Sequence, residues 1–310
     1  MARRQSSVGP QGLVVIDKQP GWTSHDVVAK LRGLLGQRRT GHAGTLDPSA
    51  TGVLLVGLGR ATRLMRFLAD TTKVYEGELV LGSTTTTLDA DGELVATFVM
   101  DDVGPEDVEA AAGALTGDLL QIPPMVSALK VDGVRLHELA RRGVEIERAP
   151  RAVTVERFAV APTEEPGRYR FDVVCSSGTY VRSLVDDLGR ALGGGAHMAT
   201  LRRTAVGAFG LEDAHLLDDL ADRSAALRPG ADWSGIVLSP AEAMQGLGRV
   251  VVDEPGAARV RTGGSLEAPA EDAGPGPFAV LDAQGELLGV YRRSEPGHLA
   301  AEVVLVGGSS

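Results

Sequence analysis

One stretch constrains this chain more than any other: Gly41-His42-Ala43-Gly44-Thr45-Leu46-Asp47-Pro48-Ser49-Ala50-Thr51-Gly52-Val53-Leu54-Leu55-Val56. Its glycines free the backbone and its proline locks it, which predicts an irregular but defined loop. Pro48 biases Asp47 away from helix and toward an extended conformation. Leu46 and Pro48 flank the Asp47 carboxylate, leaving backbone groups and the hydroxyls of Thr45 and Ser49 as its local partners. An apolar strand, Val53 to Val56, follows at once and is expected to run into a core. A carboxylate on a constrained loop at the mouth of a buried strand is a candidate nucleophile or base. The ordinary alternative for an Asp-Pro pair is an Asx-turn that bonds to its own loop.

The 310 residues suffice for one large domain or two smaller ones with a sizeable core. The single cysteine, Cys175, excludes an intramolecular disulfide framework and a multi-cysteine metal site, and fits a reducing cytoplasm. His25, His42, His137, His197, His215 and His298 never fall at i, i+4, so no metal site is expected. The apolar run Leu13 to Ile16 is too short for a signal-peptide core, and no stretch approaches the ~20 apolar residues of a membrane span. A soluble, cytoplasmic monomer is expected.

A net charge of −10 argues against a nucleic-acid partner until the charge is located. Residues 1 to 75 carry 11 Lys/Arg against 4 Asp/Glu, and residues 76 to 123 carry none against 11. Residues 124 to 205 carry 13 against 10, and residues 206 to 310 carry 7 against 16. Positive charge therefore gathers around the Asp47 stretch and a middle segment. Charges more than about 10 Å away are largely screened, so a local basic face can bind phosphate on an acidic protein.

Periodicity predicts a strand at Val14 to Ile16, then a helix from Thr23-Ser24 with a capping box and a stop at Gly36. A further helix is expected from Ala61 to Leu68, strands at Val74 to Leu81 and Leu94 to Val99, and a helix from Pro105 to Leu115. Strands at Val153 to Val160 and Tyr169 to Cys175 precede a helix from Thr179 to Leu192. Near the end, Val250 to Val252, Phe278 to Leu281, Leu287 to Tyr291 and Val303 to Val306 read as short strands, with a hairpin turn at Asp282 to Gly285. The expected domains are residues 10–222 with an inserted segment near 125–150, a connecting segment 223–248, and a small β domain 249–310.

The Gly41 to Val56 run, long and nearly free of gaps, resembles the catalytic signature of the bacterial tRNA pseudouridine synthases of the TruB family. The resemblance covers roughly residues 10 to 210. It implies an α+β fold: a mixed, largely antiparallel central sheet flanked by helices, with a small PUA-like C-terminal β domain. It also implies isomerisation of the T-arm loop uridine of tRNA (position 55) and, compatibly, an aid to tRNA folding. Conversion of uridine to pseudouridine breaks the bond from base nitrogen to sugar and remakes it through a base carbon, so no redox cofactor or metal is required. Attack on the base, attack on the sugar and elimination of the base are all open routes for a carboxylate.

By this resemblance Asp47 is the nucleophile. Arg182, in Cys175-Ser176-Ser177-Gly178-Thr179-Tyr180-Val181-Arg182, matches the arginine that pairs with it. Tyr75 matches the residue that stacks on the target base, and Tyr180 and Leu201 match pocket-lining positions. His42 matches the residue that fills the gap left by a flipped base, and Lys18 a contact and packing motif. Arg38, Arg39, Arg135, Arg141 and Arg142 are expected on the RNA backbone, with tRNA as the partner. Departures are Val74 where a basic residue is frequent, Thr86 where an aspartate is common in the Thr84 to Asp89 pattern, and His137 in place of a frequent tyrosine.

Two other readings compete. Gly57-Leu58-Gly59 after an apolar strand imitates a dinucleotide-binding turn of an oxidoreductase, but Thr62 occupies the third glycine position. A non-catalytic RNA-binding protein would use the same basic surface.

Overall fold

Thr23 starts the first helix as its sequence predicts. Its hydroxyl accepts from the Asp26 N–H at 3.1 Å, and the Asp26 carboxylate accepts from the Thr23 N–H at 2.9 Å. The computed structural model describes residues 9–127, 130–131, 134–136, 144, 146–226, 233–269, 274–295 and 297–305. The chain divides into two compact units that alternate in sequence. The first takes the described residues through Asp47, then Val53–Ala69, then those from Gly207 on; the second takes Pro48–Gly52 and Asp70–Val206.

The first unit opens with β1 (Gly12–Lys18), α1 (Ser24–Leu34), β2 (Thr40–Ala43) and β3 (Thr51–Leu58), the last from Val53 on. Leu13, Val14, Val15 and Ile16 are all buried, as are Val53 to Val56, so both strands lack a solvent face. The expected loop at Gly41 is instead strand β2, antiparallel to β3 with His42 opposite Val56. Main-chain bonds tie β1 to distant chain: the Leu13 N–H donates to the Leu238 carbonyl and the His215 N–H to the Val15 carbonyl. The expected helix after Gly59 is a 3-10 turn, Gly59–Leu64, leading into the short α2 (Met65–Ala69). Arg60, Arg63 and Arg66, three residues apart, donate to the carbonyls of Leu305, Val304 and Glu302.

In the second unit β4 (Lys73–Leu81) is followed by a hairpin of β5 (Ser83–Thr85) and β6 (Leu94–Thr97), then α3 (Pro105–Ala114) and β7 (Gly117–Gln121). A short hairpin, β8 (Lys130–Val131) with β9 (Val134–Arg135), precedes β10 (Arg151–Pro162), β11 (Arg168–Cys175), α4 (Val181–Ala191) and β12 (Ala196–Val206). The sheet runs β12-β4-β11-β10-β7, antiparallel at each step. Thr51 and Gly52 of β3 add a parallel pair against Arg202 and Arg203. Gly52 is required there: its φ is +98°, and a Cβ would lie 2.1 Å from the Arg203 carbonyl oxygen.

The remaining elements are β13 (Phe209–Gly210), α5 (Leu217–Ala226), α6 (Pro240–Ala243), β14 (Gly248–Val251), α7 (Glu254–Arg261), β15 (Leu266–Glu267), β16 (Phe278–Leu281), β17 (Leu287–Glu295) and β18 (His298–Val304). The last sheet has the order β14-β16-β17-β18-β15. Its core is Phe278, Val280, Tyr291 and Leu299, closed by Ala257 and Val260 of α7. The predicted hairpin turn is present, with the Asp282 carboxylate accepting from the Gln284 and Glu286 N–H groups.

The architecture is the expected α+β class with a largely antiparallel sheet, and it removes the dinucleotide reading. That reading needs a doubly wound parallel sheet over residues 40 to 120 and a long helix on the glycine turn. Here β3 pairs antiparallel with β2, and the glycine turn leads into a 3-10 turn. No helix among the described residues is long and apolar enough to cross a membrane.

Candidate active site

The loop that carries Asp47 is pinned just before it. The buried hydroxyl of Ser24, in the first turn of α1, accepts from the Leu46 N–H at 2.9 Å and donates to the Leu46 carbonyl at 3.2 Å. Leu46 is itself buried, so the chain enters Asp47 from a fixed point, while Asp47 remains partly exposed. His42 on β2 meets His25 of α1 edge to face, with ring centroids 5.3 Å apart. Lys18 is fully buried, and its ammonium donates to the Trp22 carbonyl at 2.8 Å and the Gln19 carbonyl at 3.2 Å. Those bonds close the Asp17 to Gly21 turn. Arg38 and Arg39 are exposed, with Arg39 Nε held 2.9 Å from the Thr62 hydroxyl.

The second unit brings four expected residues onto neighbouring elements. Tyr75 on β4 is buried and stands opposite Val173 of β11 and Arg203 of β12. Leu201 lies on β12 opposite Gly77. Tyr180 is the residue before α4, and Arg182 is in its first turn, where a cation opposes the helix dipole. A specific partner compensates. Arg182 is 4 % exposed; its guanidinium lies 3.4 Å from the Asp89 carboxylate and donates to the carbonyls of Thr87 (2.9 Å) and Val126 (3.0 Å). Burial pushes the Asp89 carboxyl up from its ordinary range, opposed by the Thr87 hydroxyl and the Arg182 charge. A groove of about 850 Å³ lies on this unit, lined by Thr51, Glu76, Asp89, Arg157, Leu201 and Arg202 among others. It includes Ser49, two residues after Asp47. Arg141 and Arg142 lie outside the described residues, and of Arg135 only the main chain lies within them.

Two family models match the chain: "TruB family pseudouridylate synthase (N terminal domain)" over residues 32–181, and "tRNA pseudouridylate synthase B C-terminal domain" over residues 182–244. The chain belongs to the TruB family of pseudouridine synthases. The tRNA pseudouridine synthase B of Streptomyces coelicolor is 45% identical over 287 residues, covering 90% of this chain and 92% of that one. That of Mycobacterium ulcerans is 41% identical over 310 residues, covering 99% and 98%. Among solved structures, a chain of a Cbf5-Nop10-Gar1 complex superposes with a TM-score of 0.74 at 27% identity, covering 96% of this chain and 85% of that one. As a TruB-family enzyme the chain is an isomerase that converts uridine in tRNA to pseudouridine.

Sequence patterns left several buried polar residues of this TruB-family unit unassigned. Asp89 stood in a recognised threonine-rich pattern without its role as partner of Arg182. Gln121, Lys73 and Arg203 are also buried, and polar residues in strands give no apolar signal to follow. Lys73, across the ladder from Cys175, donates to the Thr71 carbonyl. Burial and then the Arg203 charge push its ammonium down to about 8, while burial pushes the Cys175 thiol up to about 11.

The Lys73 shift has a stability signature. Between about pH 8 and 10 the unfolded chain holds a proton that the folded chain has released, so Lys73 makes stability rise with pH across that window. Lys73→Met removes this slope. Relative to wild type the variant should gain on the order of 2 kcal/mol on going from pH 10 down to pH 7. Melting curves at both pH values test this; an equal difference between the two proteins at pH 7 and 10 would sink it.

Proposed function

We propose that the chain isomerises the uridine of the tRNA T-arm loop, with Asp47 as nucleophile on a base flipped out of the RNA. Support comes from the uninterrupted Gly41 to Val56 signature in a chain whose full-length relatives are named tRNA pseudouridine synthase B. In this reading Arg182 supplies the cation that steadies the reacting carboxylate, Tyr75 stacks on the target base, and Tyr180 and Leu201 line its pocket. His42 takes the place the base leaves, Lys18 shapes the approach, and Arg38, Arg39, Arg135, Arg141 and Arg142 contact phosphates. The C-terminal β domain from residue 249 adds RNA-binding surface.

The atoms balance without a co-reactant: the C1′–N1 bond breaks, the base turns, C5 bonds to C1′, the C5 proton leaves to solvent, and the freed N1 takes up a proton from solvent. That lost proton is the assay. A T-arm hairpin carrying tritium at C5 of its loop uridine should release the label to water with the purified chain, whereas an anticodon-arm hairpin labelled in the same way should not. Release from the anticodon arm and none from the T-arm would overturn the assignment of substrate site.

A further inference from the structure

The strand β7 runs against the hydrophobic pattern at its end. Leu120 and Ile122 are 75% and 52% exposed, while Gln121 between them is 4% exposed. Period-two alternation therefore turns an amide inward and two large apolar side chains outward, the reverse of what burial alone selects. The inward amide is fully used: Oε1 accepts from the Tyr180 N–H at 2.7 Å, and Nε2 donates to the Tyr180 carbonyl at 3.1 Å. Gln121 thus grips both main-chain groups of the residue that precedes α4.

Two more bonds extend the grip. The Ser183 hydroxyl donates to the Ile122 carbonyl at 3.2 Å, and Arg182 donates to the Val126 carbonyl at 3.0 Å. Between these points lie Pro123 and Pro124, both buried, whose rings fix φ and hold the segment extended. Gln121 to Val126 is a strut of set length, fastened at one end to the start of α4 and at the other to the Arg182 side chain.

We infer that Gln121 is a positioning residue for isomerisation: its amide sets the direction in which α4 presents Arg182. The inference rests on the reading above in which Arg182 acts at the reacting carboxylate. Gln121→Met keeps the volume and loses both bonds. Misplacement of a reacting group by about 1 Å costs on the order of 100-fold in rate, so single-turnover isomerisation of the T-arm hairpin should fall by about that factor. The dissociation constant for the same hairpin should stay within about threefold, because phosphate contacts carry the binding.

Placing Gln121→Met in an Arg182→Lys background separates positioning from general support. There it should cost less than about threefold more, since residues acting as a unit are not additive. A wild-type rate in Gln121→Met overturns the inference, and so does an equal loss in both backgrounds. Should Gln121→Met fail to fold, Gln121→Glu keeps the shape and the accepting oxygen but loses the donor to the Tyr180 carbonyl. An unchanged rate in that variant overturns the inference as well. A wild-type rate in Arg182→Lys with a slow Gln121→Met would remove Arg182 from the chemistry instead, and with it the route assigned to Gln121.

Discussion

Asp47→Asn is expected to abolish pseudouridine formation while tRNA remains bound. The amide has nearly the shape of the carboxylate but cannot form or stabilise the covalent or ionic intermediate. A loss of at least about 10⁴-fold in single-turnover rate is expected, equivalent to roughly 5.5 kcal/mol of transition-state stabilisation. The loop should survive the change, because what pins it is the Ser24 hydroxyl on the Leu46 main chain and not the Asp47 side chain. Affinity should change little, since it is spread over many phosphate and stacking contacts. Single-turnover assays and equilibrium binding on the same transcript decide the point. A wild-type rate ends the nucleophile assignment, and a parallel loss of binding moves Asp47 from chemistry to docking.

Arg182→Lys is expected to cost about 10²- to 10³-fold in rate, and to destabilise the fold by roughly 2–4 kcal/mol. The guanidinium reaches the Thr87 and Val126 carbonyls with separate nitrogens while facing Asp89. A lysine is one compact charge and cannot occupy both ends of that fork. Asp89 is then buried beside a misplaced cation. Its carboxyl is already pushed up by burial, so the folded state favours the proton more strongly than the unfolded chain does. The sign follows: stability is lost as pH rises through the raised folded value, and the defect of Arg182→Lys should grow as pH rises above the ordinary carboxylate range. Adding Asp89→Asn should restore part of the melting temperature without restoring turnover. Recovery of turnover in the double variant would show that Asp89, and not the reacting centre, was what Arg182 served.

Elements with one apolar stripe and a clear punctuation mark were legible. Val14 to Ile16, the Thr23 capping box, the Tyr169 to Cys175 alternation and the Asp282 to Gly285 turn fall where sequence puts them. Strand β12 was not, although it pairs with β4 along most of its length. Thr200, Arg202, Arg203 and Thr204 interrupt its apolar period, and Arg203 nevertheless ends up 1 % exposed. Burial there is set by neighbouring strands, which no local window contains. For the candidate site, the family resemblance proposed Asp47, Tyr75 and Arg182 only as single residues. The pairing of Arg182 with Asp89 and the Gln121 grip on Tyr180 join positions 93 and 59 residues apart, and only the fold brings them together.

The bonds from β1 to His215 and Leu238 also set an order of events during synthesis. A ribosome adding about 5–20 residues per second needs roughly 10 to 45 s to travel from Leu13 to Leu238. The Asp70 to Val206 portion leaves the ribosome before those partners exist and can begin to fold meanwhile. Until then the wholly apolar faces of Leu13 to Ile16 and Val53 to Val56 have no completed unit to enter. A nascent chain stalled before His215 would therefore present both strands to chaperones, and the loop bearing Asp47 would be among the last parts of the enzyme to mature.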